Sequence, residues 1–151
     1  MENTITIPSG LEGFTNTNTK KAPTVTDRMI LIIDGKIRER EDDRVCPKCG
    51  CKMHVHDTYD VHLSHIPFGR TLSAVRFEKR RYICPECHAT SMQGVPFQAG
   101  GHRITATLYS YARDLLELGL TNKNVSELTG LCKNTVKDID KERLLEKYTV
   151  D

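Results

Sequence analysis

The chain has 151 residues and carries 22 Lys and Arg against 20 Asp and Glu. That length allows one ordinary domain or two small ones, and so balanced a charge names no partner by itself. No apolar run is long enough for a bilayer; the best, Met29 to Ile33, has the length of a strand.

Residues 1–27 are rich in Thr and Asn and poor in apolar side chains, so a flexible arm is expected there. Residues 28–38 read as a strand, with Asp34-Gly35 as a candidate hairpin turn. From Lys52 to Ile66 the composition is β-forming, Pro67-Phe68-Gly69 marks a turn, and Arg70 to Ile83 reads as one long strand. Its odd positions, including Ser73, Val75 and Phe77, share one face, and its even positions, including Arg76, Arg80 and Tyr82, the other. Residues 94–103 form a connector with Pro96 and a Gly-Gly pair. A helical period follows, in which Ile104, Leu108, Tyr111, Leu115 and Leu118 share a face and Gly119 closes the helix. A short helix fits Asn122 to Thr129, ended by Gly130. A third fits Lys133 to about Tyr148, with Val136, Ile139, Leu144 and Tyr148 on one side. The expected fold class is therefore α+β. A small β-rich, zinc-ribbon-like domain (28–93) is followed by a linker (94–103) and an all-α domain (104–151).

Two C-P-x-C knuckles, Cys46-Pro-Lys-Cys49 and Cys84-Pro-Glu-Cys87, are separated by 34 residues. Two intervening residues let a tight turn aim both sulfurs at one ion, and four thiolates close a tetrahedral zinc shell. A β hairpin running out and back spans the gap. No basic region followed by an apolar core opens the sequence, so a reducing compartment is expected and metal ligation is favoured over disulfides. One structural zinc on Cys46, Cys49, Cys84 and Cys87 is the expectation; iron satisfies the same spacing, and a dithiol redox site is the enzymatic alternative. Cys51 and His88 are rival ligands of poorer spacing. Cys132 reads as a small packing residue. His54, His56, His62 and His65 lack a Cys or carboxylate partner at matching spacing, so polar surface or nucleic-acid contacts are expected of them.

Asn122 to Asp140 fits a helix-turn-helix. Ser126 is the small residue at the crossing, Gly130 supplies the turn, and Val125, Leu128, Leu131, Val136 and Ile139 lock the helices. An ordinary helical hairpin produces the same pattern. As a recognition helix, the segment from Lys133 exposes Lys133, Asn134, Thr135 and Lys137 for base or phosphate contacts. The acidic Asp138, Asp140, Glu142 and Glu146 imply that its later part faces solvent or a partner rather than DNA. Residues 46–103 hold 8 basic and 4 acidic groups. Within them Arg76, Lys79, Arg80 and Arg81 form a basic cluster suited to phosphates; its alternative is a solvated strand face.

The order of these features resembles the N-terminal part of bacterial insertion-sequence transposases of the ISL-three type. The likeness is carried by Cys46-Pro47-Lys48-Cys49-Gly50, His65-Ile66-Pro67, Gly69-Arg70, Arg80-Arg81-Tyr82-Ile83-Cys84-Pro85-Glu86-Cys87 and Val125 to Ile139, over roughly residues 28–148. The resemblance implies a zinc-binding and a DNA-binding unit that recognise transposon ends as double-stranded DNA, in the bacterial cytoplasm. A homodimer is a candidate arrangement, since helix-turn-helix proteins read paired half-sites. In that family an Asp-Asp-Glu nuclease domain follows. This sequence stops at Asp151 without room for it, so no catalysis is expected of this polypeptide. The alternative is a regulator or protein-interaction module derived from a transposase.

Overall fold

The computed structural model describes residues 11–148. It is α+β, with a β-rich sheet in the N-terminal part and three helices after it. The expected arm is partly overturned. Residues 1–10 lie outside the described residues, but Phe14–Pro23 forms strand β1, antiparallel to β2 (Met29–Ile37). Thr15, Thr17 and Thr19 suit an exposed edge strand, whose backbone is satisfied by pairing rather than by burial of its side chains. Asp34-Gly35 is correspondingly not a turn. It lies inside β2, opposite an irregularity between Asn16 and Asn18, and the chain reverses at residues 24–28, where the Thr24 hydroxyl donates to the Arg28 carbonyl at 2.6 Å. Gly35 is needed for a different reason: a Cβ there would collide with the Phe14 ring and the Thr15 carbonyl.

The long hairpin expected from sequence is present as β3 (His54–Phe68) and β4 (Thr71–Ile83), with Gly69 at φ 61° in its tip. Beside β4, β2 runs parallel from Ile30/Leu72 to Asp34/Arg76, giving the order β1-β2-β4-β3. The short β5 (Thr90–Met92) pairs with the far end of β4. Strand β4 uses its two faces in turn. Its first half buries Ser73, Val75 and Phe77, and its second half buries Tyr82, of opposite parity, against Cys46, Met53 and Cys84. Phe14, Phe77 and Phe97 meet edge-to-face, with centroids 5.5 to 6.4 Å apart, beside Leu63 and Val75. Phe97 comes from the connector, which is therefore pinned to the sheet.

Helices α1 (Ala106–Glu117), α2 (Asn122–Thr129) and α3 (Lys133–Tyr148) start and stop where local chemistry dictates. Thr105 and Thr121 cap α1 and α2, accepting from the backbone N–H groups of Leu108 (3.2 Å) and Asn124 (3.1 Å). Gly130, at φ 77°, ends α2. The helical core joins Ile104, Leu108, Ala112, Leu116, Val125, Leu131, Val136 and Ile139. The α1 face is thus rotated from expectation: Ala112 and Leu116 are buried, while Tyr111 and Leu118 are 38% and 77% exposed. Likewise Leu144 and Tyr148 are exposed, because beyond Ile139 α3 meets α1 through charged groups: Arg143 pairs with Glu117 (2.7 Å) and Arg113 with Glu146 (2.7 Å). The helices are fastened to the sheet by backbone bonds from Ser64 N to Arg103 O (3.1 Å) and Thr105 N to Ser64 O (2.9 Å). The Leu72 side chain fills the space against Gly130.

Candidate metal centre and nucleic-acid interface

The two C-P-x-C segments fold as matching turns. Cys46 N donates to Cys51 O (2.9 Å) and Gly50 N to Cys46 O (3.0 Å); Cys84 N donates to Ala89 O (2.8 Å) and His88 N to Cys84 O (3.0 Å). The same position in each turn takes a positive φ, 76° at Gly50 and 60° at His88. The rival ligands thus have other places. His88 supplies the left-handed residue of its turn, and Cys51, half-buried against the Cys46–Tyr82 cluster, occupies the place that Ala89 fills in the second turn.

The hairpin of β3 and β4 brings the turns face to face. The sulfurs of Cys46, Cys49, Cys84 and Cys87 all lie within 4.8 Å of one another, with Cys46–Cys87 at 3.5 Å and Cys49–Cys84 at 3.4 Å. These separations are too long for S–S bonds and close to the ~3.8 Å between ligands of a tetrahedral ion with 2.3 Å bonds to sulfur. Backbone N–H groups aim at the thiolates. Those of Cys49 and Lys48 draw Cys46 down to about 6, and those of Cys87 and Glu86 lower Cys84. Cys49 and Cys87 also accept N–H groups, from Cys51 and Ala89, but the facing sulfur and burial push both up. Four thiolates this close repel one another unless a cation sits among them, so the donor set fits a thiophilic ion of zinc's size. Cys46 and Cys84 are buried and Cys49 and Cys87 exposed, which gives a closed shell at the surface.

Behind the turns lies a polar support that the sequence did not reveal. Glu39 accepts from Arg44 Nε (2.7 Å), Arg80 Nη1 (2.7 Å) and Tyr82 Oη (2.9 Å). Arg44 lies 5.7 Å from the Tyr82 ring centroid and is two residues from Cys46, as Tyr82 is from Cys84. One carboxylate therefore ties both entrances to the cysteine cluster. The Arg44 guanidinium foremost, then Tyr82 and Arg80, hold Glu39 down at about 2; burial, with Glu39 next, pushes Tyr82 up to about 12.

The basic cluster of β4 is largely engaged within the chain. Arg76 makes a bidentate pair with Asp34 (2.5 and 2.9 Å), Arg81 one with Asp57 (2.9 and 2.7 Å), and Arg80 reaches Glu39. Lys79 alone of the four has no ion pair among the described residues. These carboxylates sit on neighbouring strands or beyond them, out of reach of local sequence reading.

In the helical part, Ser126 Oγ donates to Leu131 O at 2.5 Å, clamping α2 to the start of α3 across Gly130. Lys133, Asn134 and Lys137 are exposed at the beginning of α3; Thr135 is half-buried, 3.0 Å from the Cys132 sulfur. Cys132 itself is exposed rather than packed. Three of the four acidic residues on α3 turn to neighbouring groups. Asp140 pairs with Arg143 (2.8 Å), Glu146 with Arg113, and Glu142 with His102 (3.0 Å) and the Tyr109 hydroxyl (2.5 Å). Among the histidines, His54, His56 and His62 are exposed as expected, but His65 is buried. Its Nδ1 lies 2.8 Å from Thr105 Oγ1, its Nε2 has no partner among the described residues, and burial lowers its pKa to about 4.

No characterised protein and no solved structure matches the chain. Among the described residues no helix is long and apolar enough to cross a membrane. Residues 42–87, which contain all four clustered cysteines, match the zinc-finger family of the transposases IS204, IS1001, IS1096 and IS1165.

Proposed function

We propose that this chain is the DNA-recognition part of a transposase of the ISL-three type, without a catalytic role of its own. One structural zinc is held by Cys46, Cys49, Cys84 and Cys87. The observation that carries the reading is the clustering of these four sulfurs within the segment that matches the transposase zinc finger. In this reading residues 28–93 form the zinc-binding domain and residues 104–151 a helix-turn-helix domain that enters the major groove of terminal-repeat DNA. Lys133 and Asn134 are placed for base edges, and Lys137 and Thr135 for the backbone. The cysteine clasp has a positioning role. It closes the far end of the β3–β4 hairpin, whose other end carries the helices through Ser64 and Leu72.

The alternative of a protein-interaction module rested on the acidic side of α3. Asp140, Glu142 and Glu146 are engaged with Arg143, His102, Tyr109 and Arg113, which leaves Asp138 as the acidic group of α3 that has no ion pair among the described residues and favours the DNA-binding reading. The arginines of β4 are paired to carboxylates of the sheet, which supports a structural role for them and makes Lys79 the cation of that strand without an ion pair among the described residues.

A mobility-shift titration with duplexes carrying the element's terminal inverted repeat tests the proposal. Zinc-loaded protein should bind the repeat at least tenfold more tightly than a random duplex of equal length. Equal affinity for the two would refute sequence-specific recognition.

A further inference from the structure

Building on that reading, we infer that α3 meets the DNA backbone along a row that continues to Lys141, rather than touching DNA only through its first turn. Residues spaced by four share one side of a helix, and Lys133, Lys137 and Lys141 follow that spacing over about 12 Å. All three are exposed. Among the described residues the lysine ion pair is Lys147–Glu117, at 3.8 Å, and none of the three has one. Their side chains are therefore available cations on one face of one rigid element.

The sequence argued against such a row because acidic residues crowd the same helix. The structure separates the two sets. Asp140, Glu142 and Glu146 point to groups on or before α1 or within α3 itself: Arg143, His102, Tyr109 and Arg113. Asp138 is exposed and lies about 60° round the helix from Lys141, one turn before it, but makes no ion pair with it among the described residues. The lysine row thus ends only where Leu144 and Leu145 replace it. Each phosphate neutralised by a lysine releases condensed counterions, so the row has a defined thermodynamic signature independent of sequence.

The test is binding of the zinc-loaded 151-residue chain to a random-sequence duplex, followed by fluorescence anisotropy between 50 and 200 mM salt. Lys141→Ala should flatten the slope of log K against log salt by about 0.9. Over that fourfold salt range the variant should lose about 3.5-fold less affinity than the parent. Its thermal midpoint should not move, because Lys141 has no ion pair among the described residues. Lys147→Ala, which removes an equal charge already paired to Glu117, should leave the slope alone. A Lys141→Ala slope equal to the parent's, with Lys137→Ala flattening it, would overturn the row and leave the proposed function standing. Failure of the parent chain to bind any duplex would overturn both.

Discussion

Tyr82 and Glu39, 43 positions apart in the chain, share a hydrogen bond of 2.9 Å directly behind the four-cysteine cluster. The same carboxylate receives Arg44 and Arg80, so the residues leading into both cysteine turns converge on one anion. The entrances to the cysteine cluster are thereby fixed by a group outside it, as outer partners orient the ligands of metal sites.

Glu39→Ala should cost roughly 2 kcal/mol of stability, since it leaves the Tyr82 hydroxyl buried without its acceptor. It should also weaken zinc retention in a chelator competition by about tenfold, the lower end of outer-shell effects. The pH dependence has a definite sign. Glu39 is held at about 2 in the folded chain, against roughly 4.3 unfolded. Its contribution is present above the unfolded value and is lost as pH falls through that window toward 2. Chemical denaturation of parent and Glu39→Gln at pH 7 and pH 3 measures this, and the gap between the two proteins should narrow at the lower pH. A constant gap would remove Glu39 from the account.

The metal centre makes a separate prediction. Cys84→Ser should abolish stoichiometric zinc, whereas Cys51→Ser should retain one zinc per chain in elemental analysis, because Cys51 stands where the second turn has Ala89. Chelation should disorder the turns and the Tyr82 cluster before the helical core, which is built from residues 104–139 and contains none of the ligands. Amide exchange resolves the two regions. Loss of metal from Cys51→Ser would make Cys51 a ligand and redraw the site.

These residues also show what was legible in the sequence. The four-cysteine cluster is legible because the spacing within each pair is local and cysteine has few other uses in pairs. The helix limits were readable because Thr121 and Gly130 act on their own neighbours. What failed to show depends on partners distant in the chain. Strand β1 is polar, and its order comes from pairing with β2 and from Phe14 meeting Phe77 and Phe97. Asp34-Gly35 carries a hairpin signal, yet Asp34 serves Arg76 and Gly35 makes room for Phe14. The β4 basic cluster looked available because Asp34, Glu39 and Asp57 approach it only after the sheet has formed. The α1 face was misread by one step of the helix, since Ala112 seals the core as well as a larger side chain where α2 and α3 crowd it.

His65 joins β3 to the cap of α1 and should make that junction acid-sensitive. Burial holds its pKa at about 4, while an unfolded histidine titrates near 6.5. Because the folded value is the lower one, the unfolded chain takes up the proton first. The stability this group contributes is complete above about 6.5 and is lost as pH falls toward 4. Long-range nitrogen NMR of the imidazole should show a neutral ring at pH 6 with a midpoint near 4. An ordinary midpoint would mean that the ring reaches water.

The glycines differ in what they tolerate. Gly130→Ala meets both a left-handed backbone and the Leu72 side chain, with a Cβ only 2.6 Å from Leu72 Cδ2. It should destabilise by about 2–3 kcal/mol. Gly50→Ala has the same handedness but open space, and should cost only about 1 kcal/mol. Gly50→Asn should be milder still, as Asn tolerates this region and His88 already occupies it in the other turn. Thermal melts of the zinc-loaded variants rank them. Equal losses at positions 50 and 130 would mean that Leu72 yields freely.

The arginines of β4 distinguish charge held within the sheet from charge free to meet a phosphate. Arg76 and Arg81 make bidentate pairs across strands with Asp34 and Asp57, whose oxygens lie 2.5 to 2.9 Å away. A guanidinium held by both prongs is not free to neutralise a phosphate without releasing its carboxylate, which restores the repulsion it would relieve. Arg76→Ala should therefore lower stability by about 1 kcal/mol, as a half-exposed pair allows. It should change the salt dependence of duplex binding far less than Lys137→Ala. Asp34→Asn gives the reciprocal test, since it frees Arg76 and should steepen that dependence. If Arg76→Ala flattens the slope as much as Lys137→Ala, the pair opens on DNA and the β4 cluster belongs to the interface.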